Sequence, residues 1–225
     1  MLKSFFKSLY AVLELIAHVT TEYARVIYGV WRLSKLKKPV VTVFGGSKIS
    51  QGHLYARQAH ELGKMLIEHD ISVITGGGPG IMEAANCGAF GSEYNGTVAR
   101  SVGIGVQSLE TEHRNKCSNE MIVTKYFFAR KFLLTRYATA FVVFPGGFGT
   151  MDELFEVATL MQTGHLKRCP IVLIDTAYWT NLLLFIRNAE KEGLLLKKDA
   201  ELIFVTDNLE EAFKHLYVES KENPL

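Results

Sequence analysis

A carboxylate, Glu153, closes the run Pro145-Gly146-Gly147-Phe148-Gly149-Thr150-Met151-Asp152-Glu153, and a cationic pair, Arg130-Lys131, lies upstream of it. The run follows an apolar segment and precedes a helical pattern, so a strand, a bare-backbone turn and a helix start meet at one point. Glycine has no Cβ, so a ligand can touch the main chain there, and the N–H groups of a helix start point at it. Such a turn suits phosphate. An acid in the first helical turn beside it points to chemistry on a phosphorylated substrate. A helix start favours the anion, so Glu153 is expected to stay ionised near neutrality. That suits a base, a nucleophile or a stabiliser of positive charge, and not a general acid.

Two further strand ends carry glycine. Gly45-Gly46-Ser47 is what a tight strand-to-helix turn needs, whereas Gly76-Gly77-Gly78-Pro79-Gly80 has more glycine than a turn requires. Backbone left bare at that entropic cost admits something close. Neither standard nucleotide motif is present. A GxGxxG pattern from Gly76 would need glycine where Ile81 stands, and no GxxxxGK[ST] occurs. Thr150-Met151-Asp152-Glu153 also reads as a T-x-x-E capping box, so spacing alone leaves capping and catalysis both open for Glu153. Asp152 is the competing acid, expected on a different face. Arg130-Lys131 sits among aromatic and apolar residues from Tyr126 onward, either as a solvated pair or as an anion clamp, since arginine holds phosphate bidentately. The seven histidines show no ligand spacing except His53, His60 and His69 along one helix, which reads as a solvated face; no metal is expected.

The segments Gly76–Asn86, Arg130-Lys131 and Pro145–Glu153 together resemble the signature of the Lonely Guy family, the cytokinin riboside 5′-monophosphate phosphoribohydrolases often mislabelled as lysine decarboxylases. The resemblance runs from about Val40 to Tyr217 and leaves the first 35 residues outside the core pattern. It implies hydrolysis of the N-glycosidic bond of nucleoside 5′-monophosphates to free base and ribose 5-phosphate, with no cofactor. It implies Arg130 and Glu153 as the catalytic pair and Gly146, Gly147, Gly149 and Thr150 as the phosphate site. Gly77, Gly78, Gly80, Met82 and Glu83 would line the nucleotide site, and Gly46, Ser47 and Lys131 complete the expected substrate contacts. It also implies at least a homodimer with both subunits near the site. Plant members carry Met and Glu where this chain has Phe127 and Ala129, and the first turn reads Gly46-Ser47-Lys48 where many relatives place Ser before a small residue and Arg. Both departures bear on base specificity more than on reaction type.

Alternating elements must position these residues. Residues 2–34 read as one long helix with apolar side chains at three-to-four spacing and a narrow polar stripe. Its apolar circumference would pack on the body or a partner subunit, or else lie on a membrane surface through residues 1–35. Lys38-Pro39 ends it. Strands are expected at Val40–Phe44, Ile71–Thr75, Val102–Val106, Met121–Thr124, Ala140–Phe144, Pro170–Asp175 and Ile203–Thr206. Helices are expected over 52–69, 80–90, 126–138, 150–162, 178–191 and 208–217. Such alternation predicts an α/β fold: a doubly wound, Rossmann-like parallel sheet of about seven strands with helices on both faces, plus the N-terminal amphipathic helix. Ligands in such sheets sit beyond the carboxyl ends of the strands, where Gly45, Gly76 and Gly146 all fall. The division expected is a helix over 1–38, a nucleotide-binding domain over 39–217 and a polar tail over 218–225.

Composition sets the outer bounds. The chain has 225 residues, 48% hydrophobic and 21% charged, enough for one large globular α/β domain. Residues 1–38 hold seven basic and two acidic side chains, a balance of +5; the whole chain is +2, so the rest carries −3. A weakly acidic body argues against nucleic acid as a partner. Cys87, Cys117 and Cys169 are odd in number and far apart, which argues against a disulfide framework or zinc site and for a reducing, cytoplasmic setting. The apolar start is interrupted by Lys7 and Glu14 and reads as neither a signal peptide nor a spanning helix. A non-catalytic nucleotide carrier on the same fold is the main alternative. A pyridoxal-phosphate lysine decarboxylase using Lys131 is a third reading.

Overall fold

The computed structural model describes residues 2–90, 100–107 and 115–222, with side chains described between 6 and 217. The elements follow in the order α1 Leu2–Leu33, β1 Val40–Phe44, α2 Leu54–Glu68, β2 Ser72–Thr75, α3 Ile81–Phe90, β3 Ser101–Val106, β4 Glu120–Thr124 and α4 Phe127–Arg136. Then come β5 Ala140–Val143, α5 Phe148–Gln162, β6 Ile171–Ile174, α6 Thr176–Lys191, α7 Lys197–Ala200, β7 Ile203–Thr206 and α8 Leu209–Glu222. The expected strands and helices are all present; the one-turn α7 is additional, and α8 runs beyond 217. The last residues of the expected tail, 223–225, and His113 lie outside the described residues.

The seven strands form one parallel sheet in the order β4-β3-β2-β1-β5-β6-β7. Continuous runs such as Val41-Thr42-Val43 and Ile171-Val172-Leu173 are buried on both faces, as parallel strands covered by crossover helices must be. One face packs on α2, α3 and α8 through residues such as Leu62, Ile81 and Leu216. The other packs on α4, α5 and α6 through Leu133, Leu154 and Trp179, and Leu33 at the end of α1 joins this layer. The strand order reverses between β1 and β5, whose register pairs Val43 with Val142 and Phe44 with Val143. Past the strands the main chains stay tied, with the Gly46 N–H donating to the Pro145 carbonyl at 3.0 Å. The two glycine turns therefore open side by side at the switch point, where a crevice must form.

The expectation of no disulfide fails. Cys87 on α3 is bonded to Cys117, just before β4, with Cα atoms 4.6 Å apart. Their separation of 30 residues hid the pairing in the sequence. It arises because Ser101 on β3 bonds both the Asn86 carbonyl of α3 and the Cys117 carbonyl, which brings α3 and the segment leading into β4 together. Cys169 is the free thiol, and burial pushes its pKa up to about 12.

Candidate active site

A cleft of about 970 Å³ lies over the carboxyl ends of β1, β2 and β5. Its walls are the three glycine turns, and eleven of the residues expected at the site line it: Gly46, Ser47, Gly77, Gly78, Met82, Arg130, Gly146, Gly147, Gly149, Thr150 and Glu153. Its volume suits a mononucleotide-sized ligand.

The Pro145–Glu153 run builds one end of the cleft. Gly147 is the N-cap of α5 and makes no side-chain cap bond, so the helix starts at Phe148 and not at Thr150. The first intrahelical bond runs from the Met151 N–H to the Gly147 carbonyl at 3.1 Å. The N–H groups of Phe148, Gly149 and Thr150 thus precede any intrahelical partner, and all three residues line the cleft. This start corrects the capping-box reading. Thr150 lies inside the helix, Glu153 is past its first turn, and neither caps it. Gly146 has a packing reason: a Cβ there would strike the Thr150 hydroxyl and press on the Gly46 N–H, breaking the cradle.

Glu153 faces Arg130 instead. The Arg130 guanidinium donates through Nη1 to Glu153 Oε1 at 2.8 Å, through Nε to the Ile104 carbonyl at 2.9 Å and through Nη2 to the Gly76 carbonyl at 3.4 Å. Both side chains are about nine-tenths buried. Burial raises the Glu153 carboxyl above its ordinary value, and the Arg130 charge and hydrogen bond oppose that rise without cancelling it. The expectation of an ordinary, helix-stabilised carboxylate is therefore corrected: desolvation outweighs the helix end because Glu153 lies past the turn where that field acts. Fixed by three bonds, the guanidinium holds one carboxylate oxygen and orients the other. Among the described residues Oε2 takes no protein hydrogen bond, which leaves it for ligand or water.

Three expected contacts do not line the cleft. The Lys131 amine points away, to Asp152 at 2.7 Å and Glu156 at 3.1 Å. Burial lowers its pKa, but the bonds to those two carboxylates outweigh that and leave it raised. A helix places neighbours about 100° apart, so Arg130 and Lys131 cannot both face the site. Glu83 meets Gln51 Nε2 at 3.2 Å, and Gly80 gives its carbonyl to the same amide at 3.1 Å. At φ +72°, with a would-be Cβ against the Gly46 carbonyl, Gly80 lets the second turn close on the first. Asp152 points to a different face, as expected. His53 caps α2 from an exposed position, and among the described residues no cluster of His, Cys, Asp and Glu could hold a metal.

Several lining residues went unread in the sequence: Tyr55, Met121 and Tyr178 above all. Tyr178 donates to the Gly146 carbonyl at 2.6 Å, and Tyr55 donates to Asp175, which pushes its own phenol to about 12. Asp175 holds φ +84°, a costly backbone for a non-glycine residue, at the carboxyl end of β6. Only a strand end followed by an Asx-type helix cap signals that site in the sequence.

A family model described as "possible lysine decarboxylase" matches residues 82–216. Over 182 residues the chain is 30% identical to a cytokinin riboside 5′-monophosphate phosphoribohydrolase of Arabidopsis thaliana, covering 78% of this chain and 80% of that protein. Over 176 residues it is 31% identical to the enzyme of the same description from Rhodococcoides fascians, covering 76% and 86%. The chain belongs to the Lonely Guy family. This member of it also shares its fold with the molybdenum cofactor binding protein of Rippkaea orientalis, at TM-score 0.62 and 19% identity, covering 84% of this chain and all of that one. A molybdenum cofactor carrier protein of Chlamydomonas reinhardtii superposes at TM-score 0.59 and 20% identity, covering 83% and 100%. These likenesses show the Rossmann-like fold of this Lonely Guy member. The phosphoribohydrolase relatives match it in sequence.

Proposed function

We propose that the chain is a hydrolase that cleaves the N-glycosidic bond of nucleoside 5′-monophosphates, AMP or a cytokinin riboside 5′-monophosphate among them, to free base and ribose 5-phosphate. The carrying observation is the buried Arg130–Glu153 pair opening into the same cleft as the uncapped start of α5. The 5′-phosphate binds the N–H groups of Phe148, Gly149 and Thr150. This sets the ribose beside Glu153. As the C1′–N bond breaks, Glu153 stabilises the oxocarbenium-like state and directs water to C1′; the hydroxyl goes to the sugar and the proton leaves with the base. Arg130 holds Glu153 at the reacting carbon.

A panel of nucleoside monophosphates assayed for free base and ribose 5-phosphate tests this reading. Stoichiometric AMP binding with no release of adenine would overturn it in favour of a carrier, a reading that rests on the shared fold alone. The decarboxylase reading loses its amine, since Lys131 is held by two carboxylates outside the cleft. We further propose a homodimer or larger homo-oligomer as the working unit, in a cytoplasmic setting; the Cys87–Cys117 bond withdraws the cysteine argument for that setting. Peripheral membrane contact through residues 1–35 is the competing use of α1. No described helix is long and apolar enough to cross a membrane.

A further inference from the structure

Asp175 follows β6 with each of its polar groups engaged. Its N–H donates to the Thr206 carbonyl at 3.1 Å, and its carbonyl accepts from the Trp179 N–H at 3.3 Å. One carboxylate oxygen accepts from the Tyr178 N–H at 3.0 Å, and the other accepts from the Tyr55 hydroxyl. Its φ of +84° is one that a residue with a side chain keeps only where its surroundings fix it, and such residues gather at ligand clamps. Capping α6 does not require that backbone, since a cap ordinarily sits in extended conformation. What this carboxylate adds to a cap is Tyr55 on α2. It bridges α2 to α6, and both tyrosines line the cleft.

The bridge ends on the turn proposed to take phosphate, because the Tyr178 hydroxyl donates to the Gly146 carbonyl at 2.6 Å. The peptides on either side are held by main chain. The Pro145 carbonyl accepts from the Gly46 N–H at 3.0 Å, and the Gly147 carbonyl from the Met151 N–H at 3.1 Å. Among the described residues the peptide between them is held by Tyr178 alone. No atom lies within 4 Å of where a Gly147 Cβ would stand, so packing does not fix it, and glycine on both sides lets it turn over. In a trans peptide the C=O and N–H point opposite ways. Drawing the Gly146 carbonyl to Tyr178 therefore aims the Gly147 N–H away from Tyr178. Turned over, the same peptide would exchange that donor for a carbonyl oxygen, which repels an anion.

We propose that Asp175 is a positioning residue: through Tyr55 and Tyr178 it holds the Gly146–Gly147 peptide with its N–H toward the anion, and so favours phosphorylated over unphosphorylated ligands. This rests on the proposed phosphate site. Asp175→Gly suits the test, because glycine takes this φ freely and weakens a helix cap little. It also removes a negative charge from this end of the sheet, which by itself would tighten anion binding, so a weakening isolates positioning. The measurement is calorimetric titration of the full chain with ribose 5-phosphate, and with adenosine as the neutral control. Asp175→Gly is expected to bind ribose 5-phosphate about fivefold more weakly, the worth of one net hydrogen bond, with adenosine affinity and melting temperature nearly unchanged. Tyr55→Phe is expected to weaken ribose 5-phosphate about threefold in the wild-type background and not at all beside Asp175→Gly, because coupled sites are not additive. Unchanged ribose 5-phosphate affinity in Asp175→Gly overturns the inference, as does a Tyr55→Phe loss that persists beside it. So does equal weakening of both ligands with a lower melting temperature, which marks a plain helix cap. A wild type that binds no ribose 5-phosphate and releases no adenine from AMP overturns the phosphate site itself, and this inference with it.

Discussion

The Arg130 guanidinium and the Glu153 carboxylate meet at 2.8 Å, brought together from α4 and α5, the helices on either side of β5. Arg130 is also pinned by the Ile104 and Gly76 carbonyls, so it serves as a fixed bracket for the acid. Glu153→Gln keeps the shape and removes the charge. It is expected to cost roughly 10²–10⁴-fold in kcat with AMP while the KM changes little, a range typical of losing one positioned catalytic group. Steady-state release of adenine measures it, and wild-type turnover in this variant would sink the proposed role.

On the proposed role of Glu153, its raised carboxyl is expected to set the acid limb of the pH profile. The rate should then fall as pH drops through a pKa that lies above the ordinary value of about 4.3. Arg130→Gln removes the charge that opposes the rise, so the limb should move to higher pH still. For folding the sign is opposite: a raised acid favours the folded state most below its unfolded pKa, and that share is lost as pH climbs through the folded one. A kcat/KM profile of wild type and Arg130→Gln checks the direction.

Tyr178 reaches the proposed phosphate turn from α6, donating to the Gly146 carbonyl at 2.6 Å. Tyr178→Phe deletes one hydrogen bond of about 1 kcal/mol. The expected result is a KM for AMP raised about fivefold with kcat nearly constant, and no change in inhibition by adenosine, which lacks the phosphate. Equal weakening of AMP and adenosine would mean that Tyr178 does not act through the phosphate turn.

Glu22 caps the segment leading into α4, accepting from Lys125 N–H at 2.9 and 3.0 Å and from Tyr126 N–H at 3.4 Å. Glu22→Ala leaves those half-buried donors without their acceptor, a cost of about 1 kcal/mol. For a chain of this size that lowers Tm by roughly 2–4 °C for each kcal/mol. Thermal unfolding measures the loss, and because α4 carries Arg130, kcat is expected to fall with it.

Reducing the Cys87–Cys117 bond should loosen the second glycine turn. Asn115, two residues from Cys117, donates its N–H to the Gly77 carbonyl at 3.2 Å and its amide to Asn86 at 2.7 Å, and Asn86 accepts from Thr75 at 2.5 Å. The bond closes a loop of 30 residues, worth about 3–4 kcal/mol in the chain-entropy account. Dithiothreitol is expected to lower Tm and raise the KM for AMP in wild type, and to do neither in Cys87→Ser/Cys117→Ser.

The parallel sheet and the three glycine turns at strand ends were legible in the sequence, and the motif resemblance put Arg130 and Glu153 side by side before their contact was seen. Strand and helix periods and turn glycines are local signals, and the motif resemblance joined them. The helix phase was not legible. Starting α5 at Phe148 instead of Thr150 turned Glu153 from a cap into a buried partner of Arg130, and the neighbouring phase on α4 sent Lys131 to Asp152. Phase is set by where the chain leaves the sheet, which depends on packing against β1 as much as on the residues of the turn.

By itself, then, the sequence determined which segments become strands and helices, and that three bare turns must face one edge of the sheet. Only the tertiary structure decided which side chains meet there. Tyr55 and Asp175 touch across 120 residues, and Cys87 finds Cys117 beside β3, because strand order brings distant crossovers together. The apolar spacing of α1 was visible in the sequence, but which side of that helix the body covers was fixed by Glu22, Gly29 and Arg32 meeting β4, α4 and the segment between them.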